Sequence, residues 1–209
     1  MSLDPKVTKR MERALNEADG PGATGPRLVD DARRLWHRVQ QFIALGLIPA
    51  VSETDALELA CYALQLPFRR NKAPGKLGRT NLKERAEQAA EMLVGLLGGE
   101  VDELLLDRST RLLQELPHRS PMLDEAKLLA DAVNLDDFGI TGLFLQAIQL
   151  ARQGDGLHQL IEGAEKREQY GYWDARLKDG FHFEIVRQMA QQRLDNARAA
   201  VKLLLDELP

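Results

Sequence analysis

Glu125-Ala-Lys-Leu-Leu-Ala-Asp-Ala-Val-Asn-Leu-Asp-Asp-Phe-Gly139 carries the clearest helical signal in the chain. Ala126, Leu128, Leu129, Ala132 and Val133 recur at three- and four-residue spacing, which is the period of an amphipathic helix and not the alternation of a strand. Pro121 lies just before the stretch, and Asp124 is a suitable N-cap with Lys127 at the third helical position. Asp136 then reads as the cap of a second helix, Asp137 to Arg152, in which Gly139 and Gly142 allow two helices to approach closely. The local expectation is a helix, a corner and another helix.

The same pattern continues on both sides. Toward the N-terminus, residues 4–19 form a short amphipathic helix with Val7, Met11, Ala14 and Leu15 on one side, followed by a Gly/Pro linker from Gly20 to Pro26. Leu28, Ala32, Leu35, Trp36, Val39, Phe42, Ile43 and Leu47 give the helix Pro26 to Leu47 its apolar stripe. Ser52 and Asp55 predict a capping box for a helix from Glu53 to Gln65, which Pro67 ends. A loop with Pro74, Gly75 and Gly78 runs from Phe68 to Leu82. Asn81 and Glu84 begin a helix from Leu82 to Leu97, stopped by Gly98-Gly99. A further helix spans Glu100 to Leu116. Beyond the central pair, Leu157 to Arg167 reads as a short helix and Trp173 to Leu208 as one or two. No strand pattern or internal repeat is evident, so the expected fold is all-α. The expected division is residues 1–25, a helix with its linker, and residues 26–209, a single helical domain.

Composition narrows the function classes. The chain has 209 residues and a formal net charge of −4, which argues against a nucleic-acid binder held by phosphate contacts. Its one cysteine, Cys61, forms no internal disulfide and fits a reducing cytoplasm. There is no membrane-spanning run and no signal-peptide pattern, so a cytoplasmic location is expected. Met1-Ser2-Leu3 carries no functional signal.

The central stretch resembles the EAKixxDADxLDxxG signature of the HD superfamily of metal-dependent phosphohydrolases, in particular its small single-domain bacterial members. Glu125, Ala126, Lys127, Asp131, Ala132, Leu135, Asp136 and Gly139 match in register. The resemblance extends across roughly residues 28–207: Arg38-Val39 resembles the pair that follows the family's first histidine, and Leu59 to Pro67 resembles the segment with its paired His-Asp. Ala89, Ala90 and Leu93 fit the helix that follows, and Ala190 and Arg193 a C-terminal helix. It implies an HD-like helical bundle. It also implies that the metal-binding positions are Leu35, Leu64, Gln65 and Val133, where the family has His, His, Asp and Asp. Three aliphatic groups and an amide do not form a divalent-metal site, which needs several deprotonated donors. The expectation is therefore a catalytically degenerate binding or regulatory module without a cofactor.

Two alternatives remain open at this stage. One is an active phosphohydrolase with a divalent metal held by replaced ligands, for which Asp131, Asp136, His37 and His118 are the candidates. The bland readings are that His37 is a polar residue at a helix edge, that His118 is a solvated turn residue, and that Asp131 and Asp136 act in capping or ion pairs. The other alternative is a scaffold that dimerises through the N-terminal segment and the C-terminal helix.

A basic run completes the candidate list. Arg69, Arg70, Lys72, Lys76, Arg79, Lys83 and Arg85 are opposed only by Glu84, and the loop they occupy leads into a helix N-terminus, where free N–H groups favour anions. It reads either as a solvated loop or as a site for a phosphate-bearing small molecule or an acidic protein surface, with Arg69, Arg70, Lys72, Lys76 and Arg79 as its ligand-binding residues.

Overall fold

The computed structural model describes residues 3–19, 28–49, 54–70 and 82–208. These residues form ten α-helices and a 3₁₀ turn, Leu66–Arg70, with no strand among them, so the fold is all-α. The chain divides into two compact units, residues 1–130 and 131–209.

The first unit contains α1 (Pro5–Asp19), α2 (Leu28–Ala44), α3 (Thr54–Ala63), α4 (Leu82–Leu97), α5 (Glu103–Glu115) and the start of α6 (Asp124–Leu135). Its centre is α3, which touches α1, α2, α4 and α5. Residues 56–63, Ala-Leu-Glu-Leu-Ala-Cys-Tyr-Ala, are all buried, and a helix that is apolar on nearly every side has no solvent face to present. The expected stripe of α2 is the buried one, with Leu28, Ala32, Leu35, Val39 and Phe42 all in the core.

Helix α1 follows Asp4, whose carboxylate accepts the Lys6 N–H at 2.8 Å, with Pro5 at the first helical position. Its residues Met11, Ala14 and Leu15 are covered by the first unit itself. Glu12 ties the helix down further by accepting from Arg33 at 2.7 and 3.0 Å and from the Tyr62 hydroxyl at 3.2 Å. Leu3, read above as carrying no signal, is buried, and its N–H donates to Glu58 at 3.3 Å. Of the capping box expected at α3, Ser52 lies outside the described residues, while Asp55 accepts the Ala56 N–H at 2.9 Å. Asn81 also lies outside them.

The start of α6 departs from expectation. Asp124 is its first helical residue and pairs with Lys127 at 2.7 Å, and Leu123 occupies the capping position, its carbonyl accepting from Ala126 and Lys127. Leu123 has no side-chain acceptor, so the cap comes from α5: Glu115 accepts the Met122 and Leu123 N–H groups at 2.7 and 2.8 Å.

The second unit holds the end of α6 and α7 (Gly139–Gln153), α8 (Leu157–Gln169), α9 (Tyr172–Asp179) and α10 (Glu184–Glu207). Helix α7 packs on α10 and α8, and α8 and α10 both touch α9. Asp136 is not the cap of α7. That helix starts two residues later than expected, with Phe138 at the capping position and no side-chain cap. Gly139 does permit close approach: its φ is 86°, and a Cβ there would lie 3.0 Å from the Arg193 Cβ of α10. Gly142 serves a different end, since its Cβ would lie 2.3 Å from the Asp137 carbonyl oxygen. It accommodates the corner between α6 and α7, not a neighbouring helix. Among the described residues, no helix is long and apolar enough to cross a membrane.

Candidate functional site

The polar residues of the central stretch are held by the turn between α9 and α10. Asp131 and Asn134 are three apart on α6 and share a face. Asp131 is fully buried, and its two carboxylate oxygens accept the backbone N–H groups of His182 at 2.8 Å and Phe183 at 3.0 Å. Phe183 is the capping residue of α10 and offers no cap of its own, so Asp131 acts on α10 as Glu115 does on α6. Burial pushes the Asp131 carboxyl up to about 7, against the opposing pull of the two N–H groups and the nearby Arg187 guanidinium.

The neighbours complete a network. Asn134 donates to the Gly180 carbonyl at 2.7 Å and accepts from Arg176 at 3.1 Å. Arg176 also pairs with Asp137 at 3.0 Å and donates to the Tyr172 hydroxyl at 2.9 Å. Arg187 donates to the Leu177 and Phe181 carbonyls, both at 3.0 Å, and pairs with Glu184. Beneath these groups Phe138, fully buried, meets the rings of Trp173 and Phe181 at 5.0 and 5.3 Å between centroids.

The positions implied for a metal do not fit one. Leu35 and Leu64 are buried aliphatic residues of the first unit's core, and Gln65 is buried in the same unit. Val133, half-buried, belongs to the second unit and has no lone pair to donate. Of the proposed replacement ligands, Asp131 has both oxygens engaged by the backbone, and His37 is exposed with Gln41 at 3.1 Å. His118 is exposed in the turn before α6, and Asp136 is half-buried at the end of that helix. Among the described residues, no three His, Cys, Asp or Glu side chains come together as a metal site would require.

The basic run is only partly visible. The side chains of Arg69 and Arg70, and all of Lys72, Lys76 and Arg79, lie outside the described residues. Lys83 is 3.9 Å from Glu87. Arg85 turns inward, donating to the Leu64 carbonyl at 2.9 Å with its guanidinium 4.7 Å from the Phe68 ring centroid. Its packing there is structural.

The second unit also contains a cavity of about 360 Å³ that sequence reasoning missed. Its walls include Leu143 of α7, Trp173 of α9 and Leu194, Ala197, Val201 and Leu205 of α10. Asp137, Gly139 and Gly142 from the end of the central stretch also contribute to its lining. The available signal was aromatic: Tyr170, Tyr172, Trp173, Phe181 and Phe183 crowd into a short segment of a chain with few aromatic residues. Charged groups around the cavity are mostly engaged. Arg198 makes two hydrogen bonds to Glu168 at 2.7 and 2.8 Å, and Arg167 donates to Gln146 while lying 6.0 Å from the Trp173 ring centroid. Comparison with protein-family models, curated proteins and solved structures finds no match to this chain.

Proposed function

We propose that the chain is a binding module of HD-like ancestry that acts without the family's metal-dependent hydrolysis. The observation that carries this reading is the state of Asp131. The carboxylate best placed in the motif to serve a rebuilt metal site has both oxygens engaged by backbone N–H groups at the start of α10. Asp131 is also fully buried, so a ligand role would require the packing around it to open for an ion. Leu35, Leu64, Gln65 and Val133 offer no compensating set of anionic or imidazole donors. The lone cysteine is buried in α3, where burial pushes its thiol pKa well up, so it offers no accessible thiolate to a metal or substrate.

Metal analysis tests the reading. After soaking in Mn²⁺, Ni²⁺ or Zn²⁺ and gel filtration, the protein is expected to retain less than about a tenth of an equivalent and to release no phosphate from nucleotides. Retention of about one equivalent, with phosphate release abolished in Asp131→Ala, would replace it with the hydrolase reading.

A second reading, a homo-oligomeric scaffold, draws on α7. Ile140, Phe144 and Ile148 recur every four residues on that helix and are all exposed, Phe144 at 64%. An apolar stripe of this kind is a surface for self-association. Light scattering is expected to show a dimer that Phe144→Glu converts to a monomer. A monomeric parent protein would dismiss this reading.

A further inference from the structure

We propose that the cavity of the second unit binds a molecule with an apolar body and a single carboxylate head, an acyl carboxylate in chemical class, with Lys202 meeting the head. This deepens the binding reading above and rests on it.

The body follows from the walls. At about 360 Å³ the cavity lies within the size range of small-molecule sites, roughly 300–1,000 Å³. Leu143, Leu194, Val201 and Leu205 supply aliphatic surface and Trp173 an aromatic wall. Ala164 of α8 and Ala197 of α10 stand where larger side chains would close the space. An apolar wall without neighbours forfeits dispersion contacts, and an apolar ligand restores them.

The head follows from the charges. The cavity is lined by Arg167, Arg198 and Lys202 and by Asp137, Glu165 and Glu168. Arg176, beside it, neutralises Asp137 at 3.0 Å, and Glu168 takes Arg198. Asp195 lies 3.6 Å from Arg198 as well, so cations and carboxylates balance at four each, and Lys202 is the cation that a monoanion reaches without displacing a partner. Lys202 is exposed at the cavity and has no ion pair among the described residues. A phosphate would favour a bidentate guanidinium fork, but Arg198 is already held by Glu168 and Arg167 donates to Gln146. The compact ammonium of Lys202 meets a carboxylate head as a point charge and needs no such fork.

Calorimetric titration of the full chain with decanoate below its micelle concentration, and with decanol, tests the proposal. Decanoate is expected to bind saturably at one site. Ala197→Phe should weaken both probes at least about tenfold, with the thermal melt showing that the variant folds. If Ala197→Phe does not fold, Ala164→Leu fills the space from the other helix and carries the same expectation. Lys202→Gln should weaken decanoate about fivefold and leave decanol unchanged. The proposal falls if the parent protein shows no saturable binding, if a folded cavity-filling variant binds decanoate as tightly as the parent, or if Lys202→Gln leaves decanoate affinity unaltered. Metal uptake reports separately on the binding reading itself: a protein that takes up neither metal nor decanoate retains that reading and loses this one.

Discussion

Asp131→Ala is expected to destabilise the second unit by about 3 kcal/mol, through loss of a helix cap and of two hydrogen bonds from part-buried backbone donors. The His182 and Phe183 N–H groups both donate to this carboxylate, and the start of α10 has no side-chain cap of its own. Hydrogen exchange offers the sharpest measurement. Amides in the first turn of α10 should exchange faster in the variant, while those of α3 in the first unit should keep their protection. Unchanged exchange at residues 182–187 would show that the cap is dispensable.

The same carboxylate makes a prediction about pH. Because burial raises its pKa from 3.8 to about 7, the folded chain retains a proton at Asp131 over a range in which the unfolded chain has released it. The stability contributed by this group is therefore complete below the unfolded pKa, declines as pH rises through the folded value, and levels off above it. Asn in this position does not titrate. The stability of the parent protein minus that of Asp131→Asn should thus fall by about 2–3 kcal/mol between pH 5 and pH 8, with the other titrating groups cancelling in the difference. Urea denaturation of both proteins at each pH provides the comparison. A difference that is level, or that grows with pH, would remove the buried proton from the account.

What was legible in the sequence, and what was not, divides along a physical line. Helices announce themselves through periodicity, because a buried stripe needs apolar residues every three or four positions. Met11 and Leu15 in α1, the Leu28 to Phe42 series in α2 and the bounds of α4 could all be read in this way. The caps of α6 and α10 could not. Glu115 lies seven and eight residues from the groups it caps, and Asp131 lies 51 and 52 residues from His182 and Phe183. A backbone N–H is present at every residue except proline, so a remote carboxylate that accepts from one leaves no pattern around its target. Local capping rules accordingly favoured Asp124 and Asp136, which were adjacent and of the right type but not used. The candidate site behaves similarly. Leu35, Leu64, Gln65 and Val133 are positions that the resemblance implies and that carry no donor set, whereas the cavity depends on Leu143, Trp173 and Ala197, which have no sequence relation to one another until α7, α9 and α10 pack.

Gly142→Ala is expected to reverse the usual sign of a glycine-to-alanine change in a helix. At an unencumbered helical position the substitution stabilises by roughly 0.5–1 kcal/mol, since alanine loses less backbone freedom on folding. Here the added methyl would lie 2.3 Å from the Asp137 carbonyl oxygen, 2.6 Å from its carbon and 3.1 Å from the Asp136 carbonyl oxygen. All three are backbone atoms, so no side-chain rotation can relieve the overlap. The corner at residues 136–139 has to move instead, and it carries the Asp137–Arg176 pair at one end and the buried Phe138 ring in the middle. Overpacking of this kind costs about 3 kcal/mol or more once backbone must shift. Gly98→Ala is not a clean control, because its Cβ would also meet a carbonyl, at 2.7 Å. Gly95, in α4 with nothing within 4 Å, is the suitable comparison, and Gly95→Ala should be neutral or stabilising. Chemical denaturation of the two variants beside the parent protein decides the matter: if Gly142→Ala is as stable as Gly95→Ala, the corner yields freely and the close contact with Asp137 has no hold on the second unit.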